Sequence, residues 1–431
     1  MNDKFYELLD RTGFVFLDGG FGTMLQATGV EIGHNPELLN ITNPDVIMNI
    51  HRQYVESGSD IFCANTFGAN SYKLKNSGYT VAEVVSAGIA IAKKAASGKA
   101  LVALDIGPIG QLLEPSGTLT FEEAYEIHKE TILAGADADI IIIETMTDLY
   151  EVKAALLAAK ENSDKPVLVT MTYEENMRTF TGVSPECAIA VLEGLGADAV
   201  GVNCSLGPDE LLPIMEKICA NTTLPVIAKP NAGLPDPVTN KFNVTPEQFA
   251  QSAVKLAELG VKIFGGCCGT TPQHISALVN ALEDVEYVQQ EIERKPVVCS
   301  AVKCVEINQP RVIGERINPT GKKRFKQALA EHDIDYILGQ AVEQINAGAE
   351  ILDVNVGLPE IDEVEMMKTA VKAIQAICDA PLQLDSTRPD VLEAGLRIYN
   401  GKPIVKRVIA TEGQFVDIDF EAGIVYVDGV A

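Results

Sequence analysis

Short runs of β-branched and apolar residues alternate with longer amphipathic stretches over the first two thirds of the chain. This alternation predicts repeated βα units and therefore a parallel sheet. Eight runs, each followed by a plausible helix, are predicted as strands at 14–18, 61–65, 101–105, 140–144, 167–172, 199–204, 226–231 and 262–267. The run at 140–143 is apolar at every position, as expected for a strand covered on both faces. The count predicts an α/β fold, a (β/α)8 TIM barrel, which needs about 250 residues.

A second βα series begins near residue 311. Its predicted strands are 312–317, 351–355 and 382–385, and its predicted helices lie around 321–331, 335–347, 362–378 and 389–399. The stretch from 311 to the end is about half of what a complete barrel needs, so we expect an incomplete second barrel-like segment. Its close, 415–427, alternates like a hairpin. The predicted organisation is a barrel over 1–285, a connecting segment over 286–310, and a partial βα segment with an atypical tail over 311–431.

The composition excludes several classes of partner. The formal net charge is −26, which repels nucleic acid and anionic lipid over most of the surface. No apolar run is long enough to span a bilayer, and the N-terminus is too charged for a signal peptide. We therefore expect no nucleic-acid partner, no membrane and a cytoplasmic location. Nine cysteines, an odd number, do not suggest a disulfide framework.

Three thiols stand where two predicted strands end. Cys204 closes the sixth strand in GVNCS, and Cys267 and Cys268 close the eighth in FGGCCGTT. The carboxyl ends of barrel strands carry the active site, and strands two apart can meet over the mouth. Three thiolates leave a fourth zinc position open for an incoming thiol. The alternative is that these cysteines are small buried hydrophobes.

Two further strand ends are candidates for substrate contacts. The first ends in FLDGGFGTML, where Asp18, Gly19, Gly20 and Phe21 form a turn whose N–H groups suit a carboxylate. Taken alone, the pattern favours a tight βα turn without a ligand. Glu144 follows four isoleucines and suits a substrate ammonium, or else a salt bridge or a helix cap.

The segments LDGGFGT, IIIET, GVNCS and GGCCGT, in this order and spacing, resemble the homocysteine S-methyltransferase family. Within it the match is closest to the first module of cobalamin-dependent methionine synthases, over about residues 5 to 285. The resemblance implies that Cys204, Cys267 and Cys268 bind Zn²⁺, and that homocysteine adds its sulfur. It also implies that the DGGFG turn and Glu144 hold the amino-acid end. Asn231 is a candidate fourth zinc ligand without substrate, or a satisfied strand-end amide.

The segments VIGERINPTG, ILDVNVG and LQLDST resemble the start of the pterin-binding barrel of the same enzymes. The resemblance implies that Asn318, Asp353, Asn355 and Asp385 contact the pterin of a folate, although polar strand ends are the plain alternative. A half barrel leaves a parallel edge unpaired. We therefore expect methyltetrahydrofolate to bind weakly or not at all.

A cobalamin module of this family contains an Asp-x-His-x-x-Gly segment that supplies the lower cobalt ligand. None of the five histidines lies in such a segment: His34, His51, His128, His274 and His332. Methylcobalamin is therefore expected in trans, from a corrinoid protein or free cobalamin. The predicted function is zinc-dependent methyl transfer to homocysteine, giving methionine. The alternatives are direct use of S-methylmethionine or betaine, and a non-catalytic zinc- or folate-binding scaffold.

Overall fold

The computed structural model describes residues 3–11, 13–236, 239, 242–293, 295–406, 416–419 and 424–427. It divides into two compact units, residues 1–292 and 293–431. No helix of the described residues is long and apolar enough to cross a membrane.

Eight parallel strands form the sheet of the first unit, as predicted. They are Val15–Phe16 (β1), Ile61–Cys63 (β2), Leu101–Ile106 (β3), Ile140–Met146 (β4), Val167–Met171 (β5), Ala199–Asn203 (β6), Val226–Lys229 (β7) and Ile263–Phe264 (β8). Their order is β1-β8-β7-β6-β5-β4-β3-β2. Between β1 and β2 the Asp60 N–H donates to the Phe16 carbonyl at 2.7 Å. The eight strands therefore form a nearly closed barrel.

Helices follow the strands and cover the barrel. They are Asp3–Asp10 (α1), Phe21–Ala27 (α2), Leu39–Thr42 (α3), Pro44–Glu56 (α4), Ser71–Leu74 (α5), Val81–Ala96 (α6), Phe121–Ala134 (α7), Leu149–Asn162 (α8), Pro185–Gly194 (α9), Leu212–Cys219 (α10), Pro246–Glu258 (α11) and Pro272–Leu282 (α12), with a 3-10 turn at Pro36–Leu38. Thr120 and Thr245 begin α7 and α11 with capping boxes. Apolar side chains from all eight strands fill the barrel interior, so it is a packed core.

The last two barrel strands end earlier than the sequence predicts. β7 ends at Lys229 rather than at Asn231, and β8 ends at Phe264 rather than at Cys267. Pro230 has no N–H to continue a ladder, and Gly265 and Gly266 follow β8. The residues beyond these ends are therefore loops at the barrel mouth.

The second unit contains three sheets. Its strands are Val297–Ser300 (β9), Cys304–Glu306 (β10), Ile313–Ile317 (β11), Ile351–Val354 (β12), Leu382–Asp385 (β13), Gly401–Lys402 (β14), Ile404–Lys406 (β15), Val416–Asp419 (β16) and Ile424–Val427 (β17). Its helices are Lys323–Glu331 (α13), Ile334–Asn346 (α14), Glu363–Ile377 (α15) and Pro389–Ile398 (α16). The parallel sheet β11-β12-β13-β15 has four strands, which agrees with the predicted partial barrel.

The described residues of the second unit also form two antiparallel sheets. β16 and β17 pair antiparallel, which confirms the hairpin predicted for the close of the chain. Within 286–310, β9 and β10 also pair antiparallel, and β14 adds to β9. That stretch therefore supplies two strands of a three-stranded sheet that β14 completes.

Candidate functional site

Three sulfur atoms converge at the carboxyl end of the barrel. The Sγ atoms of Cys204, Cys267 and Cys268 all lie within 4.8 Å of one another. Cys204 and Cys268 are 3.7 Å apart, and Cys268 is exposed. The cluster therefore faces solvent rather than the core, and its geometry and soft sulfur atoms suit a transition metal such as zinc.

The backbone leaves regular strand geometry to bring these sulfurs together. Cys204 and Ser205 both adopt left-handed conformations, with φ of 64° and 62°. Such angles are uncommon outside glycine and cluster at functional sites. The turn after β8 is tied to the end of β7, since the Cys267 N–H donates to the Pro230 carbonyl at 2.8 Å. The Ala232 N–H donates to the Cys268 carbonyl at 2.9 Å, so backbone bonds flank both thiols.

Hydrogen bonds among the thiols separate their pKa values. Those from Cys267 and Cys268 lower the pKa of Cys204 to about 3. The hydrogen bond with Cys204 raises the pKa of Cys268 to about 11, and the same cause raises that of Cys267 well above its usual range. Deprotonation of the cluster is therefore favoured at Cys204, where the two neighbouring thiols donate hydrogen bonds to the sulfur.

The glycine turn after β1 packs directly against the thiol loop. A Cβ atom at Gly20 would lie 2.6 Å from the Cys267 carbonyl oxygen, and one at Gly19 would lie 2.7 Å from Thr270 Oγ1. The Gly20 N–H donates to Thr270 Oγ1 at 2.9 Å, so it is not available to a ligand carboxylate. Phe21 begins α2 and its ring lies 5.3 Å from that of His51. Both glycines thus let the turn approach the thiol loop closely.

A buried ammonium and several carboxylates lie at the ends of β1, β3, β4 and β7. Lys229 Nζ is 2.6 Å from Glu144 Oε2 and 3.7 Å from Asp18 Oδ1. Asp18 Oδ2 accepts from the Cys63 N–H at 2.9 Å. Asp105 is buried beside them, and its Oδ1 has no hydrogen-bond partner within the described part of the chain.

Burial dominates the pKa values of these acids. It raises the pKa of Asp18 to about 6, although Lys229 and the Cys63 N–H act against it. It raises the pKa of Asp105 well above its usual range, and Glu144 adds to this effect. The cluster therefore favours a bound cation, because a cation allows these carboxylates to ionise.

The Asn203 side chain, at the end of β6, is hydrogen-bonded to residues of β4 and β5. It is fully buried, and its Oδ1 accepts from the Thr145 N–H at 2.7 Å and from Thr170 Oγ1 at 2.8 Å. Its Nδ2 donates to Thr145 Oγ1 at 2.8 Å. These bonds join β4, β5 and β6 directly below Cys204.

Asn231 lies in the loop after β7. Its N–H donates to the Leu206 carbonyl at 2.9 Å, while its buried Oδ1 has no hydrogen-bond partner among the residues that the structure describes. The side chain is therefore not the satisfied strand-end amide of the alternative interpretation, and its oxygen is available to a ligand.

Sequence reasoning did not identify Lys229, Asn203 or the Cys63 N–H as parts of the site. The available signal was the position of Lys229, an ionisable residue at the end of an otherwise apolar strand. Such a residue needs buried partners, but the sequence does not say which strands supply them.

In the second unit the four predicted pterin contacts lie at or just beyond the ends of β11, β12 and β13. Asn318 Oδ1 accepts from the Thr320 N–H, and Asn355 Oδ1 accepts from the Gly357 N–H, both at 2.8 Å. Lys406, at the end of β15, places Nζ 3.0 Å from Asp385 Oδ2 and 3.9 Å from Asp353 Oδ2. A lysine thus pairs with both acidic members of the set.

Two family models match this chain. Residues 15–282 match the model described as homocysteine S-methyltransferase, and residues 314–418 match the one described as pterin binding enzyme. Together they cover both units.

Two curated relatives are methionine synthases of mycobacteria. That of Mycobacterium tuberculosis is 33% identical over 426 residues, and that of Mycobacterium leprae is 32% identical over 431 residues. Each alignment covers 92% of this chain and 35% of the relative. The chain therefore spans about a third of the length of these relatives.

Solved structures of the homocysteine methyltransferase MmuM from Escherichia coli share the fold of the first unit. The oxidised form gives a TM-score of 0.57 at 21% identity and covers 63% of this chain and 97% of that one. The metallated form gives 0.56 at 22% identity, with the same coverage.

Proposed function

This chain belongs to the homocysteine S-methyltransferase family, and we propose that it transfers a methyl group to the sulfur of homocysteine with the help of zinc. The product is methionine. The observation that carries the proposal is the convergence of three cysteine sulfurs within 4.8 Å at the barrel mouth. Family membership supports the substrate.

The thiol cluster fits a catalytic zinc ion. Cys204, Cys267 and Cys268 would hold the ion through three sulfurs, and a zinc ion with three protein ligands would remain open to the substrate sulfur. Zinc bound there would hold the homocysteine sulfur as a thiolate, which is the nucleophilic form. The buried Oδ1 of Asn231 supports our inference that this oxygen takes the fourth position when substrate is absent.

The protein's own residues would bind and orient the amino-acid end. Glu144 and Asp18 are acceptors for the substrate ammonium, because they lie in a buried site with more carboxylates than cations. The Asp18–Phe21 turn would hold the substrate carboxylate through N–H groups other than that of Gly20, which is already paired. Fixing this end orients the sulfur towards the donor.

We propose a corrinoid-bound methyl group as the donor. The methionine synthase relatives and the pterin-binding match support a donor of this class over a sulfonium or betaine. A cytosolic location suits the proposal because the thiolates need a reducing compartment.

Metal analysis and X-ray absorption at the zinc edge test the site. We expect one zinc per chain with three sulfur ligands, and four after homocysteine is added. Replacing Cys204, Cys267 or Cys268 by alanine should abolish zinc binding and methionine formation together. Cys219→Ala, in the buried face of α10, should retain both. Stoichiometric zinc in any of the three site variants would refute the assignment.

Separate assays with methylcobalamin, S-methylmethionine and betaine test the donor. We expect methionine only with methylcobalamin. Turnover with either of the others would overturn the donor assignment while leaving the zinc site intact. Zinc binding without turnover from any donor would favour a non-catalytic scaffold.

A further inference from the structure

A lysine is buried at the barrel mouth, and the proposed function assigns no role to it. Lys229 is 2% exposed, and its Nζ lies 2.6 Å from Glu144 Oε2. Its stem packs against the turn after β8, since a Cβ atom at Gly265 would lie 3.1 Å from Lys229 Cγ. The ammonium is therefore held in place by packing as well as by charge.

The surroundings of Lys229 have the form of a cation site. The ligand atoms of Cys63, Asp105 and Glu144 all lie within 4.8 Å of one another, as a bound metal would require. The Lys229 ammonium, however, lies 3.9 Å from Cys63 Sγ as well as beside Glu144. The cation of this cluster is therefore part of the chain itself.

Charge in the cluster is not balanced by Lys229 alone. Three buried carboxylates, on Asp18, Asp105 and Glu144, face one ammonium. Asp18 Oδ1 and Asp105 Oδ1 have no hydrogen-bond partner in the described part of the chain. Burying a hydrogen-bond acceptor without a donor costs free energy. The cluster therefore suits a ligand group that carries N–H donors and positive charge.

We propose that Lys229 is a positioning residue that orients the Glu144 carboxylate towards the substrate amino group, and so makes the site select amino-acid thiols over thiols without an amine. The inference rests on the proposed function and deepens it. Lys229 engages Oε2 of Glu144, which leaves the other oxygen to accept from the ligand ammonium. Without Lys229 nothing described in the structure fixes that carboxylate.

The test compares two thiols on the zinc-loaded full-length protein. Homocysteine and 4-mercaptobutanoic acid differ only by the amino group. Lys229→Met keeps the apolar stem and removes the charge. We expect it to weaken homocysteine binding by about tenfold or more, while binding of the analogue stays within about twofold.

A double-mutant cycle shows whether Lys229 acts through Glu144. Glu144→Gln should lose the same preference for homocysteine, and adding Lys229→Met to it should cause little further change. Lys262→Met is the matched control. That buried lysine donates to the Gly13 carbonyl at 2.6 Å at the amino end of β8, so its loss should leave the preference unchanged.

Equal loss of affinity for both thiols in Lys229→Met, or no loss for either, would overturn the inference. Independent effects of the two substitutions would do the same. If the wild-type protein binds neither thiol, the proposed function fails instead, so the two failures are distinguishable. Should Lys229→Met not fold, Lys229→Gln, which also removes the charge, is measured with the same two thiols and judged by the same outcomes.

Discussion

Gly20 is needed because there is no room for a side chain, not because of its backbone conformation. Its φ of −68° is open to any residue, but a methyl group there would collide with the Cys267 carbonyl oxygen at 2.6 Å. That oxygen also accepts from Thr270 Oγ1 at 2.7 Å and is therefore held in place. Gly20, like Gly19, therefore allows the turn after β1 to approach the thiol loop closely.

Gly20→Ala should therefore displace the loop that carries Cys267 and Cys268. We expect a lower zinc content and weaker homocysteine binding, measured by metal analysis and calorimetry. Gly22→Ala is the control, since a Cβ atom there would meet nothing within 4 Å. Normal zinc content in Gly20→Ala, or equal loss in both variants, would contradict this explanation.

The eight strands and the proximity of the three thiols were predictable because each strand appears in the sequence as an isolated apolar run. Cys204 and Glu144 follow or close such runs. The structure brings the sulfurs of Cys204, Cys267 and Cys268 within 4.8 Å of one another. Partnerships between strands were not predictable. Lys229 pairs with Glu144 across 85 sequence positions, and only the barrel's closure brings β4 and β7 together.

Helix α8 begins at a buried acid whose protonation affects stability. Asp148 caps the helix by accepting from the Tyr150 N–H at 2.9 Å, and burial raises its pKa from 3.8 to about 6. At a pH between 3.8 and about 6, Asp148 is therefore mostly protonated in the folded state and mostly ionised in the unfolded state. Stability from Asp148 is present at low pH and is lost as the pH rises from about 4 to about 6.

Asp148→Asn should keep the cap and remove this dependence. Between pH 4.5 and pH 7.5, the variant's unfolding free energy relative to wild type should rise by about 2 kcal/mol, measured by urea denaturation. Ser184→Ala removes the cap of α9 without an ionisable group and should cost about 1 kcal/mol at both pH values. A constant difference between Asp148→Asn and wild type would refute the assignment.

The end of β15 opposes the acidic ends of β12 and β13. Lys406 pairs with Asp385 and approaches Asp353, so these carboxylates are less available to pterin donors. We expect the wild-type protein to bind methyltetrahydrofolate weakly, and Lys406→Ala to bind it more tightly, by fluorescence titration. Lys402→Ala, in β14, serves as control. Micromolar binding by wild type, or no gain in Lys406→Ala, would count against this.

Among the described residues, each unit has a hydrophobic core of its own. One is formed by barrel residues between Phe5 and Ile263, and the other by residues between Ile317 and Tyr399. All candidate zinc and homocysteine contacts lie in the first unit. The second unit is therefore not needed to assemble them.

Residues 1–292 should consequently fold alone and hold one zinc with three sulfur ligands. Circular dichroism during heating should show a cooperative transition, and X-ray absorption should match the full chain. If the fragment lacks zinc while the full chain binds it, the thiol site depends on the second unit.

The hydrogen bond from the Cys63 N–H to Asp18 crosses the seam between β1 and β2, where the barrel is nearly closed. The same carboxylate faces the proposed substrate pocket. Ligand binding and separation of β1 from β2 are therefore thermodynamically linked. A ligand that binds Asp18 only when the two strands are together lowers the population of molecules in which they have separated. Substrate should then slow amide hydrogen exchange at Cys63, so the exchange rate of this one amide should report how much of the protein has ligand bound.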